Sequence, residues 1–269
     1  MKHTIVQNKP IFSMAQPAAL PGSCRYAGGD IRRISDRLLE EVRVLSEGGV
    51  DGVILQNFLD GPVKQSAAPE TAAYLTRLAC DIKRSYPALL LGILVCWDGP
   101  ASVLVAEAAG ADFVRVEHVY CGAELTAAGI LEGQCVEVQQ TKRRLGASVP
   151  IFADVYEPHS VPLLPRPLED AAADCVYGGL ADGLFVCGKS SSESIAYATR
   201  IRGALPGIPL ICGGGSNAEN VGALLGAFDG VCVGAWIKDG NLANPVNAAR
   251  LTQYMDAVRA ARASAEERE

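Results

Sequence analysis

The sequence predicts a single (β/α)8 barrel, and three observations carry that reading. Apolar runs fit for buried strands alternate with helical patterns from end to end, eight such runs can be counted, and a glycine-then-acid signature recurs before strands. Alternation of this kind implies a parallel sheet, and closure at eight suits 269 residues better than an open sheet or two small domains. No linker, low-complexity stretch or change of composition divides residues 1–269, so one domain is expected.

The strand-like runs are 10–15, 52–57, 89–95, 112–116, 149–155, 183–187, 208–212 and 230–234. Between them, 32–47, 70–85, 101–109, 134–145, 168–178 and 192–204 are each long enough for an amphipathic helix, and another is expected to open at Asn217 or Ala218. The signature Gly-Gly-Val-Asp-Gly at 48–52 is echoed by Ala-Gly-Ala-Asp at 109–112 and Gly-Leu-Ala-Asp-Gly at 179–183. Glycine there ends a helix in the left-handed conformation and the acid precedes the next strand. Two long polar connections, 16–30 and 156–167, follow strands one and five and are rich in proline and glycine. They are expected to form loops at the C-terminal face, where a barrel builds its active site. The tail at about 260–269, rich in alanine and charge, is expected to continue a helix that frays.

Composition narrows the function classes. With 49% hydrophobic and 20% charged residues the chain reads as a soluble globular protein, and a net charge of -6 with only short basic runs disfavours nucleic acid as a partner. No apolar stretch approaches the roughly 20 residues of a membrane span. Nine cysteines include no CxxC pair, and no signal segment opens the chain, which points to reduced thiols in a cytoplasmic protein. Self-association into a homo-oligomer is compatible with the sequence and not specified by it.

Two glycine-bearing strand ends, 210–221 (LICGGGSNAENV) and 229–240 (DGVCVGAWIKDG), suggest a phosphate cradle. Backbone N–H groups approach an anion closely only where no Cβ intervenes, and a helix N-terminus adds a favourable dipole. One cluster alone fits a tight turn equally well, but two at adjacent strand ends favour phosphate. The expected cradle comprises Gly213, Gly214, Gly215, Gly234 and Ala235, with Gly188 at the end of strand six.

Strand parity selects further candidates, because alternate residues of a barrel strand point inward. Arg115 and Glu117 share the inward side of strand four, and Asp154 takes it at the end of strand five. An acid in that setting is suited to acid/base work or metal binding. His118 and His159 fall just beyond strands four and five and are placed to meet across the mouth as proton shuttles, whereas His3 is set aside. Glu117, His118, Asp154 and His159 carry metal-ligand atoms but no metal-binding spacing, so no cofactor is expected, with a divalent metal at these residues as the lesser alternative. Asn57 is a candidate to orient a substrate hydroxyl, while Asp60 reads as turn chemistry. Lys189 could supply a cation, and Trp97 and Trp236 could wall a ring-shaped substrate or cap the barrel.

At this point the residues resemble the BtpA/SgcQ family of phosphate-binding barrels. The matching pieces are LPGSCRY at 20–26, EGGVDGVILQNF at 47–58, GILEG at 129–133, IFADV at 151–155, LEDAAADCVYGGLAD at 168–182, NAENV at 217–221, and 230–240. The resemblance implies a TIM barrel of the ribulose-phosphate-binding type with phosphate held after strands seven and eight. One cyanobacterial member is associated with photosystem I biogenesis at thylakoids, and bacterial relatives accompany sugar-phosphate genes. The chain keeps Asn57, Asp154 and His159 of the family pattern. It departs at Gln16, where relatives usually carry histidine, at Gln56, where they carry glutamate, and at Thr126, Ala127, Ala128 and Gly129 in place of a TDQG motif.

The expected function is an enzyme acting on a small phosphorylated sugar or sugar-like metabolite by isomerisation, epimerisation or C–C bond cleavage. Asp154 would be its acid/base residue, with His159 or Glu117 as partner. One alternative is a glycosyl or ribosyl transferase or hydrolase with Glu117 and Asp154 flanking the anomeric carbon. Another is a non-catalytic assembly or regulatory factor that keeps the barrel as a binding module.

Overall fold

The computed structural model describes residues 2–156 and 158–266. Eight parallel strands close a barrel: β1 (Ile11–Ala15), β2 (Gly52–Gln56), β3 (Leu90–Leu94), β4 (Phe113–Val116), β5 (Ile151–Val155), β6 (Gly183–Val186), β7 (Leu210–Cys212) and β8 (Gly230–Val233), with β8 hydrogen-bonded back to β1. Helices α1 (Ile31–Gly48), α2 (Pro69–Ser85), α3 (Gly99–Ala109), α4 (Cys135–Leu145), α5 (Leu168–Ala173), α6 (Ser191–Ala204), α7 (Val221–Ala227) and α8 (Ala248–Glu266) follow the strands in turn. A π-helical turn, Asp174–Gly178, prolongs α5. The expected tail helix reaches Glu266, and 267–269 lie outside the described residues.

Inward positions are filled by alternating bulk. Phe12, Phe113, Phe152 and Phe185 meet edge to face around the axis, with ring centroids 5.1 to 6.2 Å apart. Glycines stand beside them in register, Gly92 against Phe113 and Gly183 against Phe152, and a Cβ on either would sit 2.4 Å from the facing ring. These glycines exist to admit a phenylalanine, not to turn the chain. Outward positions such as Val53, Leu91, Val114 and Ala153 join the helix faces in a second, larger apolar layer.

The recurrent acid has a partner that the sequence conceals. Asp51, which precedes β2, accepts a hydrogen bond from the N–H of Ile11 on β1 and returns its own N–H to the Ile11 carbonyl. Asp112 repeats this exchange with Leu91, Asp182 with Ile151 and Asp229 with Leu210. Each acid before an even-numbered strand therefore clamps the start of the odd-numbered strand before it, a fourfold pattern of paired βα units. Gly49 and Gly110 end their helices in the left-handed conformation as expected, but in the third copy Leu180 takes that conformation at φ 59°.

Three features at the other end differ from expectation. The helix expected at Asn217 or Ala218 begins at Val221, after a turn in which Asn217 Oδ1 accepts the N–H groups of Glu219 and Asn220. Residues 117–134 rise from β4 as a hairpin, Ala123–Thr126 paired with Gly129–Glu132. Within the connection expected as a plain loop, Val161–Pro162 adds a third strand to that hairpin.

Candidate functional site

The polar residues of inward parity emerge one layer above the aromatic ring. Arg115 on β4 donates through Nε and Nη2 to Asp154 Oδ1 and Oδ2 on β5, at 2.9 and 2.7 Å, with both residues buried. Its guanidinium carbon lies 4.4 Å from the centroid of the Phe185 ring, so the charge rests on the aromatic floor. The bidentate partner of Arg115 is thus an acid on the neighbouring strand. The pairing also engages both Asp154 oxygens, which leaves that carboxylate poorly suited to proton transfer.

Glu117 stands two residues further along the same face. Gln56 Nε2 reaches its two carboxylate oxygens at 3.2 and 3.4 Å, and Gln16 Nε2 donates to Gln56 Oε1 at 2.9 Å. Two of the three departures from the family pattern are thus in contact with each other and, through Gln56, with Glu117. Burial pushes the Glu117 carboxyl above its ordinary value of 4.5, an effect that nearby Arg115 opposes and Asp154 reinforces. A raised carboxyl of this kind is suited to exchange protons nearer neutrality.

Glu117, His118, His159 and Trp97 line one cavity of about 290 Å³, together with Phe58, Cys96 and the hairpin residues Thr126 and Ala127. The two histidines therefore do share the mouth. Buried His118 has Nδ1 3.4 Å from Glu124 Oε2 and meets the Trp97 ring edge to face at 5.5 Å, whereas His159 is exposed. Trp97, His118 and Tyr156, just beyond β3, β4 and β5, have φ of 62°, 64° and 52°. Three consecutive strand tips thus carry a conformation costly for side-chain-bearing residues, which Asn8, Lys9 and Leu180 also adopt at the opposite rim. Gln134 fixes the first of these tips, donating to the Trp97 carbonyl and accepting from Gly99 N–H, both at 2.7 Å. Beyond Gln16, a groove of about 750 Å³ opens between α1 and the chain after β8.

Other expected site residues have different settings. Asn57 is buried and spends both ends of its amide within the fold, donating to Asp60 at 2.9 Å and accepting from Cys96 N–H at 2.8 Å. Asp60 in turn accepts from Leu20 N–H at 2.6 Å, so these residues tie the loops after β1, β2 and β3 together. Asn57 therefore braces these loops, and it also lines a cavity of about 270 Å³ beside Cys24 and Cys96. Trp236 packs on α8 against Tyr254 and Arg250, away from the mouth cavity. Lys189 is exposed, and its N–H is held by Glu193.

The glycine cluster divides in two. Gly213 N–H continues the barrel ladder to the Val186 carbonyl, and Gly188 N–H goes to Ser194 Oγ, so neither is a free anion donor. Gly213 instead gives room: a Cβ there would sit 3.4 Å from Arg115 Nη2. Among the described residues, no protein acceptor takes the N–H groups of Gly214, Gly215 and Ser216. The carbonyls of Gly214 and Gly215 are held by Cys212 and Asn220, and in a trans peptide the next N–H points the opposite way. The N–H groups of Gly215 and Ser216 are therefore turned away from those internal bonds, and Ser216 joins the candidates that the sequence had offered. Gly234 and Ala235 form the adjoining tip of β8.

Known proteins add context to this geometry. The chain is 32% identical to the photosystem I biogenesis protein BtpA of Synechocystis over 95% of its length and 90% of the relative's. It is 30% identical to the sgc region protein SgcQ of Escherichia coli, covering 96% of this chain and 97% of that one. Among solved structures, a 3-hexulose-6-phosphate synthase superposes with a TM-score of 0.57 at 15% identity, over 92% of this chain and 99% of the other. N-(5'-phosphoribosyl)anthranilate isomerase from Pyrococcus furiosus does so with a TM-score of 0.54 at 12% identity, over 94% and 99%. Similarity at that identity establishes the barrel fold alone. A family model matches residues 7–260, and with relatives above 30% identity along nearly the whole chain, the protein belongs to the BtpA family.

Proposed function

We propose that the protein is an enzyme acting on a small phosphorylated sugar or sugar-like metabolite at the C-terminal mouth of the barrel. The reaction is isomerisation, epimerisation or C–C bond cleavage, and Glu117, not Asp154, is the acid/base group. The observation that carries this reading is a buried carboxyl with a raised pKa sharing one cavity with two histidines and an indole. Names of barrels of the same fold, such as 3-hexulose-6-phosphate synthase, agree with the substrate class by analogy.

In the mechanism that follows, N–H groups of Gly214, Gly215 and Ser216 hold the phosphate, and its binding energy positions the reacting carbon beneath Trp97. Glu117 removes or returns a proton at that carbon, with His118 or His159 serving the neighbouring oxygen. Arg115, fixed by Asp154 and Phe185, supplies a rigid positive charge below the reacting atoms. The glycosyl-transfer alternative needs two working carboxylates, and the Arg115 pairing leaves Glu117 better placed than Asp154 for such work. A non-catalytic role draws support from the uncharged Gln16–Gln56 pair beside Glu117 and from the name of the Synechocystis relative.

The test is a thermal-shift screen of phosphorylated sugars followed by turnover assays on those that bind. Glu117→Gln is expected to lower kcat by about 10²- to 10⁴-fold while the ligand still stabilises the fold. Undiminished turnover in that variant removes Glu117 from the reaction. Binding without turnover in the parent, across the reaction classes named, selects the non-catalytic reading.

A further inference from the structure

We propose that Cys121 and Cys175 form a peroxide-responsive disulfide site at the root of the hairpin that covers the barrel mouth. The fold brings three cysteines together that the sequence keeps far apart. Cys121 follows β4, Cys135 opens α4, and Cys175 lies in the π-helical turn after α5. Cys121 Sγ reaches the carbonyl of Asp174, the residue next to Cys175, at 3.6 Å, and Cys121 and Cys175 line the same small cavity. The backbone of the π-turn presses on this sulfur: a Cβ on Gly179 would lie 3.0 Å from Cys121 Sγ. Tyr120 closes the other side, donating its hydroxyl to the Gly179 carbonyl at 2.5 Å.

Access to a cavity and proton affinity together distinguish Cys121 from the thiols inside the barrel. Cys121 is half-buried and, with Cys175, lines a cavity of about 70 Å³ bordered by Asp154, Tyr156, Arg166 and Asp174. That volume exceeds the roughly 30 Å³ share of a water molecule and admits hydrogen peroxide. Cys212 and Cys232 are buried in the barrel, where desolvation pushes both thiols up to about 12. Cys121 moves the opposite way, to about 7, because its neighbours' S–H groups stabilise the thiolate.

The chemistry balances with hydrogen peroxide as oxidant. The Cys121 thiolate attacks one peroxide oxygen, the O–O bond breaks, and the other oxygen leaves as water after taking a proton. Cys121 is thereby oxidised to the sulfenic acid. The Cys175 sulfur then attacks the Cys121 sulfur, the S–O bond breaks, and a second water departs with the Cys175 proton. Two thiols and one peroxide give one disulfide and two waters. The new bond ties the strand that begins at Ala123, and with it Thr126 and Ala127 over the mouth cavity, to the turn after α5.

The full chain is titrated with hydrogen peroxide, quenched by alkylation, and mapped by mass spectrometry without reduction. A Cys121–Cys175 linked peptide is expected, forming at least about tenfold faster than oxidation of exposed Cys24, which serves as an internal control. In Cys175→Ser, Cys121 is expected to accumulate as a dimedone-reactive sulfenic acid. A Cys121 that stays reduced while Cys24 oxidises overturns the proposal, as does a disulfide that joins Cys121 to Cys135 in the parent chain.

Discussion

The two ends of the barrel are made from the same eight strands and obey different rules. At the N-terminal rim, four aspartates repeat one interaction: Asp51, Asp112, Asp182 and Asp229 each clamp the first residues of the neighbouring strand. Each also meets a basic side chain, Arg262, Lys83, Lys142 or Arg202, and their own side chains are similarly exposed, from 27 to 34%. At the C-terminal mouth no side-chain interaction recurs in this way. One strand tip carries an ion pair, another a raised carboxyl, and three carry left-handed backbone at Trp97, His118 and Tyr156. Symmetry at the rim is what a stabilising device looks like when the same structural problem recurs four times. Asymmetry of charge at the mouth is what a site for one particular ligand requires.

The sharpest way to break this contrast is Asp154→Ala, which leaves Arg115 buried without its carboxylate. A loss of about 3–5 kcal/mol in chemical denaturation is expected. A loss below about 1 kcal/mol would mean the pair is dispensable for folding, and the mouth would then carry its charges for chemistry alone. At the rim, Asp51→Ala, Asp112→Ala, Asp182→Ala and Asp229→Ala should each cost about 1.5–3 kcal/mol, most of it from the charge-assisted bond to a strand N–H. Their partly exposed ion pairs add little. The equality of the four values is the test, and a wide spread would show that the repeat is geometric and not energetic.

The smallest expected effect concerns pH. Because the folded state raises the Glu117 pKa above its ordinary 4.5, folding favours the protonated form, and the stability this gives is complete in acid. It is lost as pH rises through the folded pKa. Glu117→Gln, neutral at every pH, should therefore match the parent near pH 4 and gain in Tm relative to it as pH rises towards 8. A difference that stays flat over that range would mean burial does not disfavour the Glu117 charge.

Much of this was legible before the fold was known. Strand parity put Arg115, Glu117 and Asp154 inside the barrel, and chain position put His118 and His159 at its mouth, because alternation and strand order are local properties. Pairing was not legible. Arg115 lies two residues from Glu117 yet grips Asp154, 39 positions away, since neighbouring strands bring side chains closer than one strand's own repeat does. The bracing role of Asn57 was hidden for a related reason: an amide suited to a substrate is equally suited to a backbone N–H, and here its oxygen takes the N–H of Cys96. The hairpin over the mouth was not legible either, because the third strand of its sheet, Val161–Pro162, comes from beyond β5.

By itself, the sequence determined the period of the strands, the glycines that end helices, and the acids that precede strands. These follow from backbone sterics and hydrophobic burial acting over a few residues. Tertiary structure alone decided which carboxylate is held by arginine and which has its proton affinity raised by burial. It also decided which glycine amides are consumed by the ladder and which thiols meet. Those outcomes depend on the dielectric surroundings and on contacts between distant segments, and neither exists until the barrel closes.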